Sequence, residues 1–144
     1  MDFINRLIEA LTGTHPIHPM VVHFPIALTG AASLFILLAL WKNRDFFEQA
    51  AFANIVLAAI STIPAGITGI YDNQVNYLGD APNAGLKIIL GIALFFVTTI
   101  ISVIRWKRPN LFNTSKALYV SAYFLSFALS LVLSFLGGVI LYGF

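Results

Sequence analysis

The sequence predicts an all-α integral membrane protein, an antiparallel four-helix transmembrane bundle with an N-terminal amphipathic surface helix. Hydrophobic residues make up 59% of its 144 residues and charged residues only 10%, whereas soluble domains carry about 25% charged residues. The mean hydropathy is +0.89. A bilayer-crossing helix needs about 20 apolar residues, and four segments meet that requirement. The length predicts a single transmembrane domain over residues 1–144.

The first residues predict a short helix over about residues 2–12 that lies on the membrane surface. Apolar residues recur three or four positions apart on one helical face, and the opposite face is polar; the apolar residues are Phe3, Ile4, Leu7, Ile8 and Leu11. This periodicity is typical of interfacial helices. No basic region precedes an apolar one, so the segment does not resemble a cleaved signal peptide. The alternative is a frayed tail that orders only against the bundle.

The four predicted spans differ little in character. The first two contain no charged residue, the third contains Lys87 near its start, and the fourth contains only Lys116 at its first position. Their predicted limits are about residues 21–40, 50–70, 84–104 and 116–142.

The basic residues predict the orientation of the bundle in an inner (cell) membrane. Four spans place both termini and loop 71–83 on one side, and loops 41–49 and 105–115 on the other. Six of the eight basic residues lie on the second side, so the positive-inside rule makes that side cytoplasmic. The termini and loop 71–83 then face the periplasm or the cell exterior. The six are Lys42, Arg44, Arg105, Lys107, Arg108 and Lys116.

Small residues recur every four positions along the fourth predicted span. Such residues let helix backbones approach closely in lipid, where the hydrophobic effect gives no drive for association. The pattern favours packing within the bundle over a dimer interface. The stripe consists of Ala122, Ser126, Ser130, Ser134 and Gly138.

All three histidines lie close together at the mouth of the first span, as His15, His18 and His23. Prolines follow the first two directly, and proline disfavours helix in the residue before it. We therefore expect His15 and His18 off a regular helix, with Pro19 opening the first span and His18 at its cap. The alternative is that the helix proper begins near Pro25. We expect His23 to face other helices rather than lipid, as ionisable groups in membranes usually do.

These side chains predict a cofactor or metal site at the outward end. Imidazole suits haem iron, copper and zinc, and a carboxylate either binds the metal or orients a histidine. Asp72, in the predicted loop 71–83, shares the outward side with the histidines. The candidate metal ligands are His15, His18, His23 and Asp72, and the candidate cofactor ligands are His18 and His23. The structural alternative is that the histidines cap helices or bond carbonyls that proline leaves free.

Other kinds of site are disfavoured. The chain has no cysteine, which excludes disulfides and thiolate ligands. The sequence contains no phosphate-binding loop, no HExxH motif and no nucleophile elbow. These observations favour the interpretation that the protein is not an enzyme and has no catalytic residue. Because all three histidines come from one segment, the sequence also argues against haem held by histidines of two helices.

The run from His15 to Leu28, HPIHPMVVHFPIAL, resembles the N-terminal hallmark of domain-of-unknown-function family 2231. Its members are small bacterial four-helix membrane proteins. The segments 66–72 and 137–143 resemble the family's Gly-rich end of the second span and its closing Gly-Gly pattern. The resemblance covers nearly the whole chain. The family's activity is not established, but the resemblance implies an accessory membrane module in redox or respiratory settings.

One departure from the family pattern bears on the site. Many members carry a histidine near the start of the third span, where this chain has Lys87. The departure argues against haem held between the first and third helices. The family resemblance therefore implies His18, His23 and Asp72 as the residues of a site in this chain.

The sequence thus predicts a haem- or metal-binding accessory subunit for electron transfer at the outward face. Its cofactor would be haem, or otherwise copper or zinc, and its partners the lipid bilayer and a redox protein or larger membrane complex. The alternative is a non-catalytic structural subunit of such a complex with no cofactor. A carrier or pore is disfavoured, since Lys87 and Lys116, the only charged residues of the predicted spans, lie near span starts and not at mid-membrane. The net charge is +2, but the basic residues cluster beside the predicted spans, so they do not indicate nucleic-acid binding.

Overall fold

The computed structural model describes residues 3–5, 17–42 and 45–142. Four helices in these residues are long and apolar enough to cross a membrane, which confirms the predicted all-α membrane fold. A short helix, α4, precedes the last long one. The helices are α1 (Ile17–Lys42), α2 (Asp45–Tyr77), α3 (Ala84–Lys107), α4 (Leu111–Thr114) and α5 (Lys116–Tyr142).

The four long helices pack in a ring. α1 packs against α2 and α5, and α3 packs against the same two helices on the other side. The ring has two ends. The histidine end is defined by His18, Thr68 and Lys87, and the arginine end by Glu48 and Arg105.

The bundle interior combines apolar and aromatic side chains with small and polar ones. Ser126 and Ser130 of α5 are fully buried, so the central part of the predicted small-residue stripe packs within the bundle. Ser130 meets Thr29 of α1 at 2.9 Å between hydroxyl oxygens, and Ser33 donates to the Tyr123 carbonyl. Ser134 is exposed, which places that end of the stripe outside the core.

The first helix begins earlier than the sequence predicted. α1 starts at Ile17 and includes both His18 and Pro19, whereas we expected His18 to cap a helix opened by Pro19. The physical reason is that the first four N–H groups of a helix have no partner within it. The missing N–H of Pro19 therefore costs nothing in the first turn.

The second helix extends well beyond its predicted span. α2 has 33 residues, which at 1.5 Å per residue is about 50 Å long. Residues 71–77, predicted as loop, form its last two turns, and Asp72 accepts a hydrogen bond from Asn76 there. The helix ends where Leu78 and Gly79 adopt positive φ angles of 54° and 86°, a conformation that terminates helices. The connection is therefore residues 78–83.

The predicted loops 41–49 and 105–115 are also largely helical. α1 reaches Lys42, α2 begins at Asp45, and α3 continues to Lys107. Helical order over these residues places Glu48 and Arg105 inside the bundle, although the sequence assigned both to loops. The bilayer limits of each helix stay a prediction. Of the predicted surface helix, residues 3–5 are helical, and its remaining residues lie outside the described part of the chain.

Candidate histidine site

The imidazole of His18 lies against α2 at the histidine end. It is half-buried, and its Nδ1 lies 3.2 Å from Thr68 Oγ1. The Thr68 hydroxyl donates to the Pro64 carbonyl, 2.8 Å away. With its hydrogen engaged there, Thr68 Oγ1 can accept from His18 in the tautomer that carries its proton on Nδ1. In the neutral ring this arrangement leaves the lone pair on Nε2.

Gly69 lets the ring approach the backbone of α2. A Cβ atom at this position would lie 2.9 Å from His18 Cε1, closer than ordinary carbon–carbon contacts of about 3.5–4.0 Å. A Cβ at Gly66, one turn earlier, would meet no atom within 4 Å. Gly69 therefore has a specific packing role, and Gly66 has none of this kind.

Two charged side chains complete the surroundings of His18. Asp72 of α2 and Lys87 of α3 are the charged groups that interact electrostatically with the ring. Lys87 also interacts electrostatically with Asp72. Both side chains are half-buried. Three helices thus converge on this imidazole.

His23 lies apart from this group. Its side chain is exposed and its Nδ1 bonds to the Pro19 carbonyl one turn earlier. The expectation that His23 faces other helices is therefore wrong. His23 lies five positions after His18, which corresponds to a net rotation of about 140° around the helix axis. The two rings therefore leave α1 in different directions.

The structure describes the positions of three of the four predicted ligands. His18 and Asp72 lie in the same region, His23 points elsewhere, and His15 lies outside the described residues. In the described part of the chain, no three His, Cys, Asp or Glu side chains are close enough together to hold a metal ion. What the described residues offer is one oriented imidazole. Haem and other cofactor binding through these residues stays a prediction.

A second polar cluster, at the arginine end, was missed from the sequence. Glu48 is 5% exposed and forms a bidentate ion pair with Arg105, with distances of 2.6 Å and 2.8 Å. Tyr119 donates to Glu48 Oε1 at 2.8 Å and lies 2.7 Å from the Tyr123 hydroxyl. The signal was the spacing of the tyrosines from Ser126 and Ser130, which places all four on one face of α5.

Comparison with known families agrees with this architecture. The family described as "Predicted membrane protein (DUF2231)" matches residues 14–144. That range takes in His15, the four long helices and both polar clusters. No curated protein and no solved structure matches the chain.

Proposed function

Since the chain belongs to the predicted membrane protein family DUF2231, we propose that it is an accessory membrane subunit for electron transfer that binds a redox cofactor through His18. The proposed cofactor is haem. Alternatively, the same imidazole is a ligand of a copper or zinc ion. A bound haem iron or copper ion would supply the electron-carrying centre.

The observation that carries this proposal is the hydrogen bond between His18 Nδ1 and Thr68, in which Thr68 is the acceptor when its own hydrogen bonds the Pro64 carbonyl. Histidines that bind metals nearly always donate their other ring N–H to a fixed acceptor, which sets the tautomer and the ring orientation. His18 has this arrangement, with Nε2 as the available ligand atom. Haem iron needs only one such protein ligand in several of its protein settings.

Asp72 and Lys87 would then tune the site rather than ligate the iron. Their opposite charges act on the same ring, so exchange of either residue changes the electrostatic potential at a bound cofactor. His15 is the proposed further ligand or shield for the site. His23 has no part in this proposal, because its ring leaves α1 in another direction.

The proposed orientation places the histidine end outside the inner membrane. Six of the eight basic residues flank the other end, as the positive-inside rule requires for a cytoplasmic face. The natural chain has no cysteine, so single cysteines at Asn83 and Asn110 provide the test in intact cells. A membrane-impermeant maleimide should label the cysteine at position 83 and not the one at 110; the reverse pattern would overturn the orientation.

The function is tested by the absorption spectrum and metal content of detergent-purified protein from cells supplied with haem and metals. We expect a Soret band, or bound copper or zinc, that is lost in His18→Ala and retained in His23→Ala. The exposed His23 is the matched control because it lies on the same helix. Equal loss in both variants, or cofactor retained in His18→Ala, would contradict the assignment of His18.

The second candidate is a structural subunit of a larger membrane complex without a cofactor. The observation that favours it is the lack of a three-ligand cluster among the residues the structure describes. In this case His18 serves to fasten α1 to α2 through Thr68. A colourless, metal-free protein that co-purifies with a fixed membrane partner, unchanged by His18→Ala, would establish this candidate instead.

A further inference from the structure

A groove runs along the outside of the bundle between α2 and α3, remote from the histidine end. Its volume is about 560 Å³, and its walls are almost entirely apolar. Each helix contributes side chains spaced three or four positions apart, so that one face of each forms a wall. The walls include Val56, Ala59, Ile60 and Ile63 of α2, and Phe95 and Val103 of α3.

The length of the groove matches one leaflet of a membrane. Its α3 wall extends from Phe95 to Lys107, which is about 18 Å along the helix axis. Half of a bilayer's hydrocarbon core is about 15 Å. The groove therefore reaches from the arginine-end interface to about the middle of the membrane, and its exposed rim residues Ile60 and Val103 open it sideways to lipid.

The interfacial end of the groove carries a positive charge. Lys107 is the charged residue among those that line it, and Trp106 lies beside it. Arg105, two residues earlier, forms an ion pair with Glu48. Lys107 is therefore the basic side chain of the groove that can bind an anion from outside the bundle. Tryptophan and lysine at this depth are typical of residues that contact lipid headgroups.

We propose that the groove is a binding site for one anionic phospholipid. One acyl chain lies along the apolar walls between α2 and α3, and the headgroup phosphate pairs with the Lys107 ammonium group. The apolar lining, the leaflet length and the one charged side chain that lines the groove, at its interfacial end, all match this occupant. The site is independent of His18, which lies at the other end of the bundle.

The test is native mass spectrometry of the detergent-purified protein mixed with phosphatidylglycerol or with phosphatidylcholine of the same acyl chains. We expect one phosphatidylglycerol to be retained in preference to phosphatidylcholine. Lys107→Gln should weaken phosphatidylglycerol retention about fivefold, because one interfacial lysine contributes about 1 kcal/mol to anionic lipid binding. Lys42→Gln is the matched control, since Lys42 is an exposed lysine at the same end that does not line the groove.

Two further variants test the position of the acyl chain. Val103→Trp adds bulk at the exposed rim of the groove without touching the core, and should abolish retention of both lipids while the helical circular dichroism stays unchanged. Thr99→Val removes a buried hydroxyl of the wall that has no hydrogen-bond partner. A hydrocarbon chain makes no hydrogen bond, so this change should leave retention unaltered.

Several outcomes would overturn the proposal. Equal retention of the two lipids by the natural protein would remove the charge argument. Retention by folded Val103→Trp equal to that of the natural protein would place the lipid elsewhere. Loss of binding in Thr99→Val would show that the occupant places a polar group at mid-groove, as a quinone would and an acyl chain would not.

Discussion

Replacement of Gly69 by alanine tests the packing of His18 against α2. The added Cβ would lie 2.9 Å from Cε1 and 3.3 Å from Nδ1 of the ring. To restore ordinary contact, the ring must move by about 0.6–1 Å. The distance from Nδ1 to Thr68 is already 3.2 Å, so a shift of this size breaks the hydrogen bond.

Two opposing effects set the expected magnitude. Overpacking of this kind costs about 1–3 kcal/mol, whereas alanine in a helix is favoured over glycine by about 1 kcal/mol. Gly69→Ala should therefore lower the free energy of unfolding by about 0–2 kcal/mol. Gly66→Ala, with open space around its Cβ, should raise it by about 0.5–1 kcal/mol. Of the two variants, only Gly69→Ala brings the added Cβ into contact with His18.

The assay is reversible unfolding in mixed micelles, followed by circular dichroism, for each alanine variant with and without His18→Ala. Removal of the imidazole should bring Gly69→Ala to the same stability gain as Gly66→Ala, since the clash is then absent. The coupling between positions 18 and 69 should be about 1–3 kcal/mol. Equal stabilisation by the two alanines in the natural background, or zero coupling, would refute the described packing of the ring.

The polar contacts inside the bundle give three further predictions, each checked by the same unfolding assay. Tyr119→Phe removes a donor to the buried Glu48 carboxylate and should cost about 1–3 kcal/mol; no loss would mean that the Tyr119 bond adds nothing to the bond that Arg105 makes to the same oxygen. Arg105→Met leaves Glu48 unpaired inside the bundle and should cost about 3–5 kcal/mol, and the additional change Glu48→Gln should recover part of that loss; if it recovers none, the ion pair is not the cause. Thr29→Val removes the hydrogen bond to Ser130 and should cost only about 0.6 kcal/mol, so a cost above 2 kcal/mol would contradict a simple interhelical bond.

Composition and hydropathy sufficed to predict the four-helix fold, because in lipid only helices and closed barrels satisfy their backbone hydrogen bonds. The ends of the helices were less predictable. The polar residues at 72–76 indicated a loop, yet the helix continues through them until Leu78 and Gly79 take positive φ angles. Proline at position 19 was interpreted as the start of a helix that in fact begins at Ile17, since the first turn tolerates a missing N–H.

The candidate site was predicted in part. The sequence placed His18 and Asp72 at the same end of the bundle, and they do act on one another there. It did not predict the partners Thr68 and Gly69, because contacts between residues 50 positions apart depend on the pairing of α1 with α2. The direction of His23 was also beyond the sequence, since it depends on where α1 begins and how the helix is rotated.

The polar cluster at the arginine end was hidden for a different reason. Glu48 and Arg105 are each near a predicted span end, where charged residues usually face water. Their burial follows from the extension of α2 and α3 past the predicted limits and from the hydroxyl of Tyr119, which completes the hydrogen bonding of the carboxylate. A buried pair of this kind is recognisable only once three helices are in place.

The central claim is that His18 holds a redox cofactor, and the most direct test is the absorption spectrum of the natural protein before and after reduction with dithionite. The protein should be purified in detergent from haem-supplied cells, and its metal content measured in the same sample. The proposal predicts a Soret band that shifts on reduction, or stoichiometric copper. Bound zinc would keep the site but, since zinc has no redox chemistry, would overturn the electron-transfer role. A spectrum with no band in a metal-free sample would contradict it and would leave the bundle with a structural role.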